Sequence, residues 1–327
     1  MERILVFAPN WLGDAVMALP AVADLRHRLP ETTIDVAARP SIAPLFTMVP
    51  TINRVITLDT RDPTGEQLRQ GRYDAALLLP NSFNAARMAW RAGIRERWGY
   101  RADFRTLLLT RGITAPTRLH QTEYYRHLVR ALGFGGAPAI EPRIELTDSH
   151  REAGRALLTE QGWTGRLQLV AVAPGAAFGG AKRWPAQSFA SLVDGLTASG
   201  LRSVLIGAAA DRPAATEVLM AAQASPAPLN LVGQTDLPTL AGVLGECRAL
   251  VTNDSGAMHF AAALGLPVIA MFGPTRERET HPIGERHAVL THPVWCRPCM
   301  LKECPLTHGC MTGIGVDAVL AATRARV

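Results

Sequence analysis

The sequence lacks long hydrophobic runs, and this absence limits the kind of protein that it encodes. No stretch reaches the roughly 18 apolar residues that a membrane-spanning helix needs. The most apolar segment, AAALGLPVIAMFGP, is interrupted by Gly265 and Pro267. The first residues, MERILVF, do not have the regions of a signal peptide and predict a strand instead. With 48% hydrophobic and 19% charged residues, the composition is typical of a globular protein, and we expect a soluble, cytoplasmic one.

A second absence concerns nucleotide binding. The first apolar run, ILVFA, is followed by Pro-Asn-Trp-Leu-Gly-Asp and then by a helical pattern, and this turn contains a single glycine, Gly13. A dinucleotide fingerprint needs the repeated glycines of G-x-G-x-x-G, which let the backbone wrap around a pyrophosphate. The sequence therefore argues against a nicotinamide-dependent oxidoreductase.

Acidic residues are scarce in one part of the chain. The formal net charge is +6, and residues 87–130 contain ten arginines but only three carboxylates, so this window carries +7 and the rest of the chain −1. A local positive field favours a polyanionic partner, such as a nucleic acid, an anionic lipid headgroup or a phosphorylated substrate. A solvated arginine-rich face without a ligand is the alternative.

Strand and helix patterns alternate along the whole chain, which predicts parallel sheets joined by helical crossovers. Strands are expected near residues 3–8, 33–38, 54–58, 74–80, 167–175, 202–207, 229–232, 247–252 and 267–272. Helices are expected near residues 15–29, 41–48, 63–71, 83–92, 121–133, 149–161, 185–199, 211–224, 236–245, 256–264 and 316–325. We predict an α/β protein with two doubly wound, Rossmann-like domains, 1–163 and 164–327, that meet near QGWTGR.

Residues at the ends of the strands are the first candidates for a site, because ligands of doubly wound sheets bind beyond the carboxyl ends of the strands. Asp14 comes after the first strand and lies near the start of the first helix. Two roles are open for its carboxylate. It can stabilise the helix start, or it can act as a general base exposed to a cleft between the domains.

Two strand exits in the second half contain groups suited to a phosphate or a sugar. In APGAAFGGAKRWP the glycines permit a loop close to a ligand, and Lys182 suits a phosphate oxygen, although a solvated lysine is an equal alternative. VTNDSG leads directly into a helix whose free amides form an anion site, with room left by Gly256. There we expect Asp254 to cap the helix or to bind sugar hydroxyls, and His259 to be packed or hydrogen-bonded.

Cysteine is scarce and unevenly placed. Of five cysteines, Cys247 stands alone in an apolar strand, and four have the spacing C-x₂-C-x₄-C-x₅-C within VWCRPCMLKECPLTHGCM, namely Cys296, Cys299, Cys304 and Cys310. In a cytosolic chain such a cluster is more typical of metal ligands than of disulfides, and C-x₂-C lets two thiolates share one tetrahedral ion. We predict a structural zinc or iron site, with disulfides or free thiols as the alternatives.

Four motifs together resemble a known family. NWLGDAVMALPAVADLR, LPNSF, PGAAFGGAKRWP and VTNDSGAMHFAAALGLPVIAMFGPT are similar to motifs of the ADP-heptose:lipopolysaccharide heptosyltransferases of glycosyltransferase family 9. The resemblance implies a GT-B fold, in which two Rossmann-like domains face a central cleft. It also implies inverting transfer of L-glycero-D-manno-heptose from ADP-heptose to the phosphorylated inner core of lipopolysaccharide. The expected step is addition of the second heptose, at the cytoplasmic face of the inner membrane and in transient contact with it.

The same resemblance implies roles for individual residues. Asp14 matches the position of the catalytic base. The donor-binding residues are expected to be Lys182, Asp254, Ser255, Gly256 and Thr275. Asn81 and Ser82, in the first domain, are expected to bind the acceptor beside the arginine-rich stretch. No cofactor is implied for catalysis, because Lys182 and the helix amides replace the divalent cation that many glycosyltransferases use.

Two other functions stay open at this point. A GT-B-like nucleotide-sugar epimerase would share the donor motifs but would need no basic acceptor face. A basic nucleic-acid-binding protein with a metal knuckle would explain the arginines and cysteines. Aromatic residues of the arginine-rich window could then stack on bases, but we expect them to fill the core. That function leaves Asp14, Lys182 and Asp254 unexplained, so we expect no nucleic acid partner.

Overall fold

The chain forms two compact units, Met1–Glu145 and Leu146–Val327, each built on a six-stranded parallel sheet with flanking helices. The structure is a computed structural model that describes residues 1–58, 66–138 and 141–327. Within these residues, no helix combines the length and the apolar character needed to cross a membrane. The predicted α/β class with two doubly wound units is confirmed.

In the first unit the sheet and its helices alternate along the chain. The strands are β1 (Arg3–Phe7), β2 (Thr33–Ala38), β3 (Arg54–Thr57), β4 (Ala75–Leu78), β5 (Glu96–Tyr100) and β6 (Arg111–Ile113). The helices are α1 (Leu12–Met17), α2 (Leu19–Arg28), α3 (Ala43–Phe46), α4 (Glu66–Gln70), α5 (Phe83–Arg91) and α6 (Gln121–Ala131). A 3₁₀ turn, Thr106–Leu108, lies between β5 and β6.

The second unit repeats this alternation. Its strands are β7 (Gln168–Ala173), β8 (Leu201–Leu205), β9 (Leu229–Asn230), β10 (Cys247–Asn253), β11 (Val268–Phe272) and β12 (Ala288–Thr291). Its helices are α7 (Asp148–Glu160), α8 (Ala186–Ala198), α9 (Arg212–Ala221), α10 (Leu237–Gly245), α11 (Gly256–Ala263), α12 (Glu277–Thr280), α13 (Gly309–Thr312) and α14 (Val316–Arg324).

The strand order is the same in both sheets. It is β3-β2-β1-β4-β5-β6 in the first and β12-β11-β10-β7-β8-β9 in the second. The order therefore reverses between β1 and β4, and again between β7 and β10. Ligand sites of such sheets form outside the carboxyl ends of the strands at this switch point, so the residues directly after these four strands are the ones placed to bind a ligand.

Continuous apolar runs explain why the central strands were predictable. Strands such as β1 (RILVF) and β11 (VIAMF) are almost entirely buried, because helices on a parallel sheet cover both faces of its strands. Strands β5, β6 and β12 were not predicted. β5 and β6 carry charged residues, as in ERWGY and RGI, and so do not have the continuous apolar pattern of a central strand. β12 (AVLT) has only three consecutive apolar residues and is only partly buried.

Two helix predictions need correction or restriction. The expected helix at 15–29 is two helices, α1 and α2, because Pro20 lies in the first turn of α2, and a proline has no amide hydrogen to continue a helix through that position. Part of the helix expected at 63–71 lies outside the described residues; from Glu66 onward it is α4.

The structure divides the chain one helix earlier than the boundary expected at 163/164. Helix α7, between the two positions, packs against α10 of the second unit. At this contact a side chain on Gly154 would collide with the backbone of Gly242 and Val243. The two helices therefore approach backbone to backbone, a long-range contact that the sequence pattern around residue 154 does not reveal.

Candidate active site

Asp14 lies at the switch point of the first sheet, in the first turn of α1 after β1. The N-cap position is Trp11, so Asp14 is not the capping residue. Its carboxylate is partly buried and lies near the buried Tyr125 of α6. Burial raises the pKa of the Tyr125 phenol, and the negative charge of Asp14 raises that pKa further. A carboxylate beside a protonated phenol therefore occupies the carboxyl end of β1.

Asn81 and Ser82 lie on the other side of the same switch point, after β4. The Asn81 amide nitrogen donates to the hydroxyl of Tyr124 (2.8 Å), while the side chain stays exposed. The Ser82 hydroxyl accepts a hydrogen bond from the backbone N–H of Ala85 (3.4 Å) and caps α5. Ser82 thus has a structural role, whereas Asn81 is exposed to solvent beyond the carboxyl end of β4.

A buried arginine holds this edge together. The side chain of Arg105 is fully buried; its guanidinium donates to the carbonyl of Tyr100 (3.0 Å), to the carbonyl of Pro80 and to the side-chain oxygen of Asn81 (3.4 Å). Burial lowers the pKa of Arg105 to about 10, so the group stays charged at neutral pH. Arg105 therefore links the loops that come after β4 and β5.

The arginine-rich window is only partly a surface. Seven of its ten arginines are exposed: Arg87, Arg91, Arg95, Arg101, Arg111, Arg118 and Arg130. By contrast, Arg126 is buried with Asp24, with which it forms an ion pair of 2.8 Å between α6 and α2, and Arg105 is buried as described. The basic face is thus smaller than the window's net charge predicts.

The aromatic residues of the window divide in the same way. Trp98, Tyr100 and Tyr125 are buried, as expected for core residues. Trp90 and Phe104 are exposed, which the sequence pattern did not predict.

The switch point of the second sheet brings together three of the expected donor-binding residues. The Lys182 ammonium lies 2.5 Å from the carboxylate of Asp254, and the hydroxyl of Thr275 donates to the same carboxylate oxygen at 2.6 Å. Both Asp254 and Thr275 are buried, and the side chain of Lys182 is only 13% exposed. Asp254 therefore holds a cation and a hydroxyl at the carboxyl ends of the strands. Of the two roles expected for it, capping α11 is wrong, because Ser255 is the N-cap residue, and binding of sugar hydroxyls stays a prediction.

The start of α11 remains available to a ligand. Ser255 is its N-cap residue, and the Ser255 hydroxyl forms a hydrogen bond with the Thr252 hydroxyl (3.1 Å) and does not accept one from the helix amides. The first N–H groups of a helix, with the positive end of its dipole, attract anions. His259, one turn further on, is buried, as expected.

Asn253 is a structural residue of this site that the sequence analysis missed. Its side-chain oxygen accepts from the backbone N–H of Trp184 (2.9 Å), and its amide nitrogen donates to the carbonyls of Pro174 (2.9 Å) and Gly175 (3.2 Å). The end of β10 is thereby tied to both ends of the loop that contains Lys182. The signal in the sequence was a polar residue at the end of an otherwise apolar strand.

The glycines of the loop after β7 allow other parts of the protein to pack closely against it. A side chain on Gly175 would collide with the carboxylate of Asp211, and side chains on Gly179 and Gly180 would meet Lys302 and Glu303. The glycines are therefore needed where other parts of the protein pack closely against this loop. The expectation that they let the loop come close to a ligand stays a prediction.

The four clustered cysteines come together but do not form the predicted metal site. Cys296, Cys299, Cys304 and Cys310 line one cavity of about 100 Å³, and all are free thiols. Burial, and then the neighbouring cysteines, raise the pKa of the Cys310 thiol. Across the described ranges no three His, Cys, Asp or Glu side chains converge so as to hold an ion. The geometry does not support zinc or iron here.

Comparisons by sequence and by structure match this chain to the same group of known proteins. A sequence model of glycosyltransferase family 9 (heptosyltransferase) matches residues 63–309. The chain is 32% identical to lipopolysaccharide heptosyltransferase 2 of Salmonella typhimurium, over 88% of this chain and 87% of that protein. It is 31% identical to lipooligosaccharide heptosyltransferase 2 of Haemophilus influenzae, over 88% of both.

Among solved structures, that of Escherichia coli ADP-heptose lipopolysaccharide heptosyltransferase II resembles this chain with a TM-score of 0.86 and 31% identity, over 99% of this chain and 98% of that one. The similarity extends over both units, and neither the epimerase nor the nucleic-acid-binding alternative receives support from it. The chain therefore belongs to glycosyltransferase family 9, the heptosyltransferases, and is a glycosyltransferase.

Proposed function

We propose that this enzyme transfers L-glycero-D-manno-heptose from ADP-heptose to the phosphorylated inner core of lipopolysaccharide, with inversion, and that it adds the second heptose. The observation that carries the proposal is the group at the second switch point, where Lys182, Asp254 and Thr275 adjoin the open start of α11. A cation and free amides suit a diphosphate leaving group. The names of the relatives support heptose as the sugar and the lipopolysaccharide core as the acceptor.

On the donor side, the second unit is proposed to bind ADP-heptose. Lys182 and the amides of Ser255 and Gly256 would face the diphosphate, and their positive charge would stabilise the negative charge that develops as ADP departs. Asp254 would orient Lys182, and Thr275 would keep the Asp254 carboxylate in place. These groups provide the charge stabilisation that a divalent cation gives elsewhere, so the proposed mechanism uses no cofactor.

On the acceptor side, the first unit is proposed to bind the core oligosaccharide, with Asn81 and Ser82 beyond the carboxyl end of β4 in contact with it. Asp14 would accept the proton of the acceptor hydroxyl as that oxygen bonds to the anomeric carbon of the heptose. The bond from that carbon to the diphosphate breaks in the same displacement, and ADP takes the electron pair. Inversion results because attack and departure occur on opposite faces of the sugar.

We also propose that the enzyme works as a peripheral protein at the cytoplasmic face of the inner membrane. Its proposed acceptor is a lipid-anchored glycan, so the enzyme must reach the bilayer surface to use it. The exposed arginines of the first unit favour an anionic surface.

A donor and acceptor panel tests the function. The enzyme is incubated with ADP-heptose and with core acceptors that carry no heptose or one heptose, and the product masses are measured by mass spectrometry. We expect elongation of the one-heptose acceptor and stoichiometric release of ADP. Elongation of the heptose-free acceptor would contradict the second-heptose assignment, and conversion of ADP-heptose in the absence of any acceptor would favour an epimerase.

Salt is expected to affect the two substrates differently. Exposed arginines are screened within about 8 Å at physiological ionic strength, whereas the ion pair of Lys182 and Asp254 is largely buried. The KM for the acceptor should therefore rise more steeply with potassium chloride than the KM for ADP-heptose. Initial rates measured along a salt series, with a sucrose series as the control for solvent effects, would show this. An equal slope for both substrates would contradict a basic acceptor face.

A further inference from the structure

Helix α5 exposes a stripe of aromatic and basic side chains. Its buried face consists of three alanines, whereas Phe83, Arg87 and Trp90 are exposed. These residues are spaced at i, i+4 and i+7 and therefore share one side of the helix. Large aromatic side chains on the outer face of a surface helix are unfavourable in water unless something covers them.

The loop after β5 extends this stripe with two further apolar side chains. Phe104 is 97% exposed and Leu107 is 96% exposed. Leu107 lies in the 3₁₀ turn that packs against α5, and the carboxylate of Asp103 accepts a hydrogen bond from the backbone N–H of Phe83 (3.0 Å). Both apolar side chains are therefore close to the outer face of α5.

The exposure of these side chains is built into the loop. Arg105, between them, is the fully buried arginine that holds the β4 and β5 exits together. Phe104 has a φ of +57°, a left-handed conformation that is uncommon for a bulky residue. The buried guanidinium thus fixes the loop in a conformation that turns the Phe104 side chain outward at an unfavourable φ.

The positive charge around these exposed apolar side chains indicates what kind of partner covers them. Arg87 and Arg101 are exposed, and neither forms an ion pair with a carboxylate in residues 1–58, 66–138 or 141–327. Aromatic side chains set among arginines are typical of protein surfaces that enter the headgroup region of an anionic bilayer. The aromatic rings reach the acyl boundary while the guanidinium groups stay with the phosphates.

We propose that Phe83, Arg87, Trp90, Phe104 and Leu107 form a docking surface for an anionic phospholipid bilayer. The surface begins at the carboxyl ends of β4 and β5, the same edge of the sheet as Asp14 and Asn81. The link to catalysis rests on the proposed function: docking would bring the acceptor-binding edge of the first unit to the lipid that anchors the acceptor. Binding to vesicles without acceptor does not depend on that function.

Vesicle sedimentation tests the docking surface with the full-length protein. Wild-type protein is mixed with vesicles of phosphatidylethanolamine and phosphatidylglycerol, or of phosphatidylcholine alone. The main variant is Phe104→Asn/Leu107→Ser, because asparagine tolerates the left-handed conformation. A second variant is Arg87→Gln. The matched control is Met220→Ser, which removes a side chain that is 83% exposed in the second unit.

We expect the wild type to sediment with the anionic vesicles and to dissociate as salt rises. The double variant should lose roughly tenfold or more in partitioning, since each apolar side chain leaves the bilayer. Arg87→Gln should lose about fivefold, and Met220→Ser should bind like the wild type. On catalysis, the double variant should raise the KM only for an acceptor embedded in vesicles and leave that for a delipidated acceptor unchanged.

Three outcomes of the vesicle assay would overturn the docking surface. They are a wild type that ignores anionic vesicles, a double variant that binds them undiminished, and equal binding to phosphatidylcholine. A wild-type dimer that the double variant converts to a monomer would assign the surface to a second copy of the chain and overturn the lipid proposal. If the wild type does not bind vesicles but still transfers heptose to the delipidated acceptor, the docking surface is wrong and the proposed function stands.

A second inference concerns the cysteine-rich segment, residues 295–311, which the proposed function does not use. It contacts the loop that contains Lys182 in three places. The Lys302 carbonyl accepts from the N–H of Ala181 (2.9 Å), the Glu303 carboxylate accepts from the N–H of Gly180 (2.9 Å), and His308 Nε2 donates to the carbonyl of Ala181 (2.7 Å). These bonds fix the backbone directly before Lys182.

The same segment also holds the loop that contains Thr275. Arg297 Nε donates to the carbonyl of Gly273 (2.7 Å), and the Met300 N–H donates to the carbonyl of Pro274 (2.9 Å). Lys182 and Thr275 both contact Asp254. The segment therefore clamps the two loops whose side chains converge on that carboxylate.

We propose that the cysteine-rich segment positions Lys182 and Thr275 for the donor diphosphate, with Glu303 as a positioning residue. This inference rests on the proposed function, because it presupposes that Lys182 binds the donor. It gives the cysteine-rich segment a role that needs no bound metal.

The test compares Glu303→Ala with Glu303→Gln, because glutamine keeps an oxygen that can accept from Gly180. We expect Glu303→Ala to weaken ADP binding in titration calorimetry by about tenfold and to raise the KM for ADP-heptose, with the acceptor KM unchanged. Glu303→Gln should restore most of the affinity. The melting temperature without ligand should be similar in all three proteins, since Glu303 is on the surface.

Alkylation of the segment's thiols provides a second readout. Bound ADP should slow the reaction of Cys296, Cys299 and Cys304 with N-ethylmaleimide in the wild type, and less so in Glu303→Ala. Undiminished ADP binding by Glu303→Ala would overturn the positioning role while the wild type still binds ADP. A wild type that does not bind ADP would instead overturn the proposed donor.

Discussion

Replacing Asp14 with asparagine is expected to lower the turnover number by at least about 100-fold, within the range of general acid–base catalysis, and to leave the affinity for ADP nearly unchanged. Asparagine has almost the same shape as aspartate but cannot take a proton from the acceptor hydroxyl. ADP is proposed to bind to the second unit, so its affinity does not depend on Asp14. Turnover by ADP release and ADP affinity by calorimetry provide the two measurements.

A matched control separates this effect from a general loss of charge. Glu31 is an exposed carboxylate of the same unit, just before β2 and so at the opposite end of the sheet. Glu31→Gln should retain wild-type turnover. Full activity of Asp14→Asn would remove Asp14 from the mechanism, and a parallel loss of ADP affinity would indicate that the variant is misfolded or that Asp14 contributes to donor binding.

The sequence predicted the central strands and the residues at their carboxyl ends, for one physical reason. Strands covered on both faces are continuous apolar runs, so their ends are visible, and ligands of doubly wound sheets bind beyond those ends at the switch point. Asp14, Lys182 and Asp254 were found in this way. The break between α1 and α2 also has a signal in the sequence, namely Pro20 in the first turn of α2. The helix predicted at 15–29 did not take this proline into account.

Long-range contacts account for the features that could not be predicted. Gly179 and Gly180 suggested a loop that comes close to a ligand, and no local pattern showed that their neighbours are Lys302 and Glu303, far away in sequence. The net charge of the arginine-rich window suggested a basic face, but Arg105 and Arg126, two of its ten arginines, are buried. A residue's partner decides its role in each case, and no local pattern records which partner the fold brings near.

Removing the Lys182 cation is expected to weaken ADP binding by at least about 100-fold, the range for loss of one member of a buried charge pair at a binding site. Lys182→Met keeps the length of the side chain but removes its charge. It also leaves Asp254, a buried carboxylate, without the cation now 2.5 Å away, so a bound diphosphate would meet uncompensated negative charge. Calorimetry with ADP measures the loss, and adenosine, which has no phosphate, should bind to the variant as it does to the wild type.

The double variant Lys182→Met/Asp254→Asn separates the two contributions to that loss. Asparagine removes the uncompensated charge and can still accept the hydrogen bond from Thr275, so part of the ADP affinity should return, to about tenfold below the wild type. Contacting charges are expected to give non-additive effects, and a double variant weaker than Lys182→Met alone would contradict the coupling. In that case Asp254 would bind the donor directly, through sugar hydroxyls, and the ion pair seen in the structure would be a resting arrangement that the donor replaces.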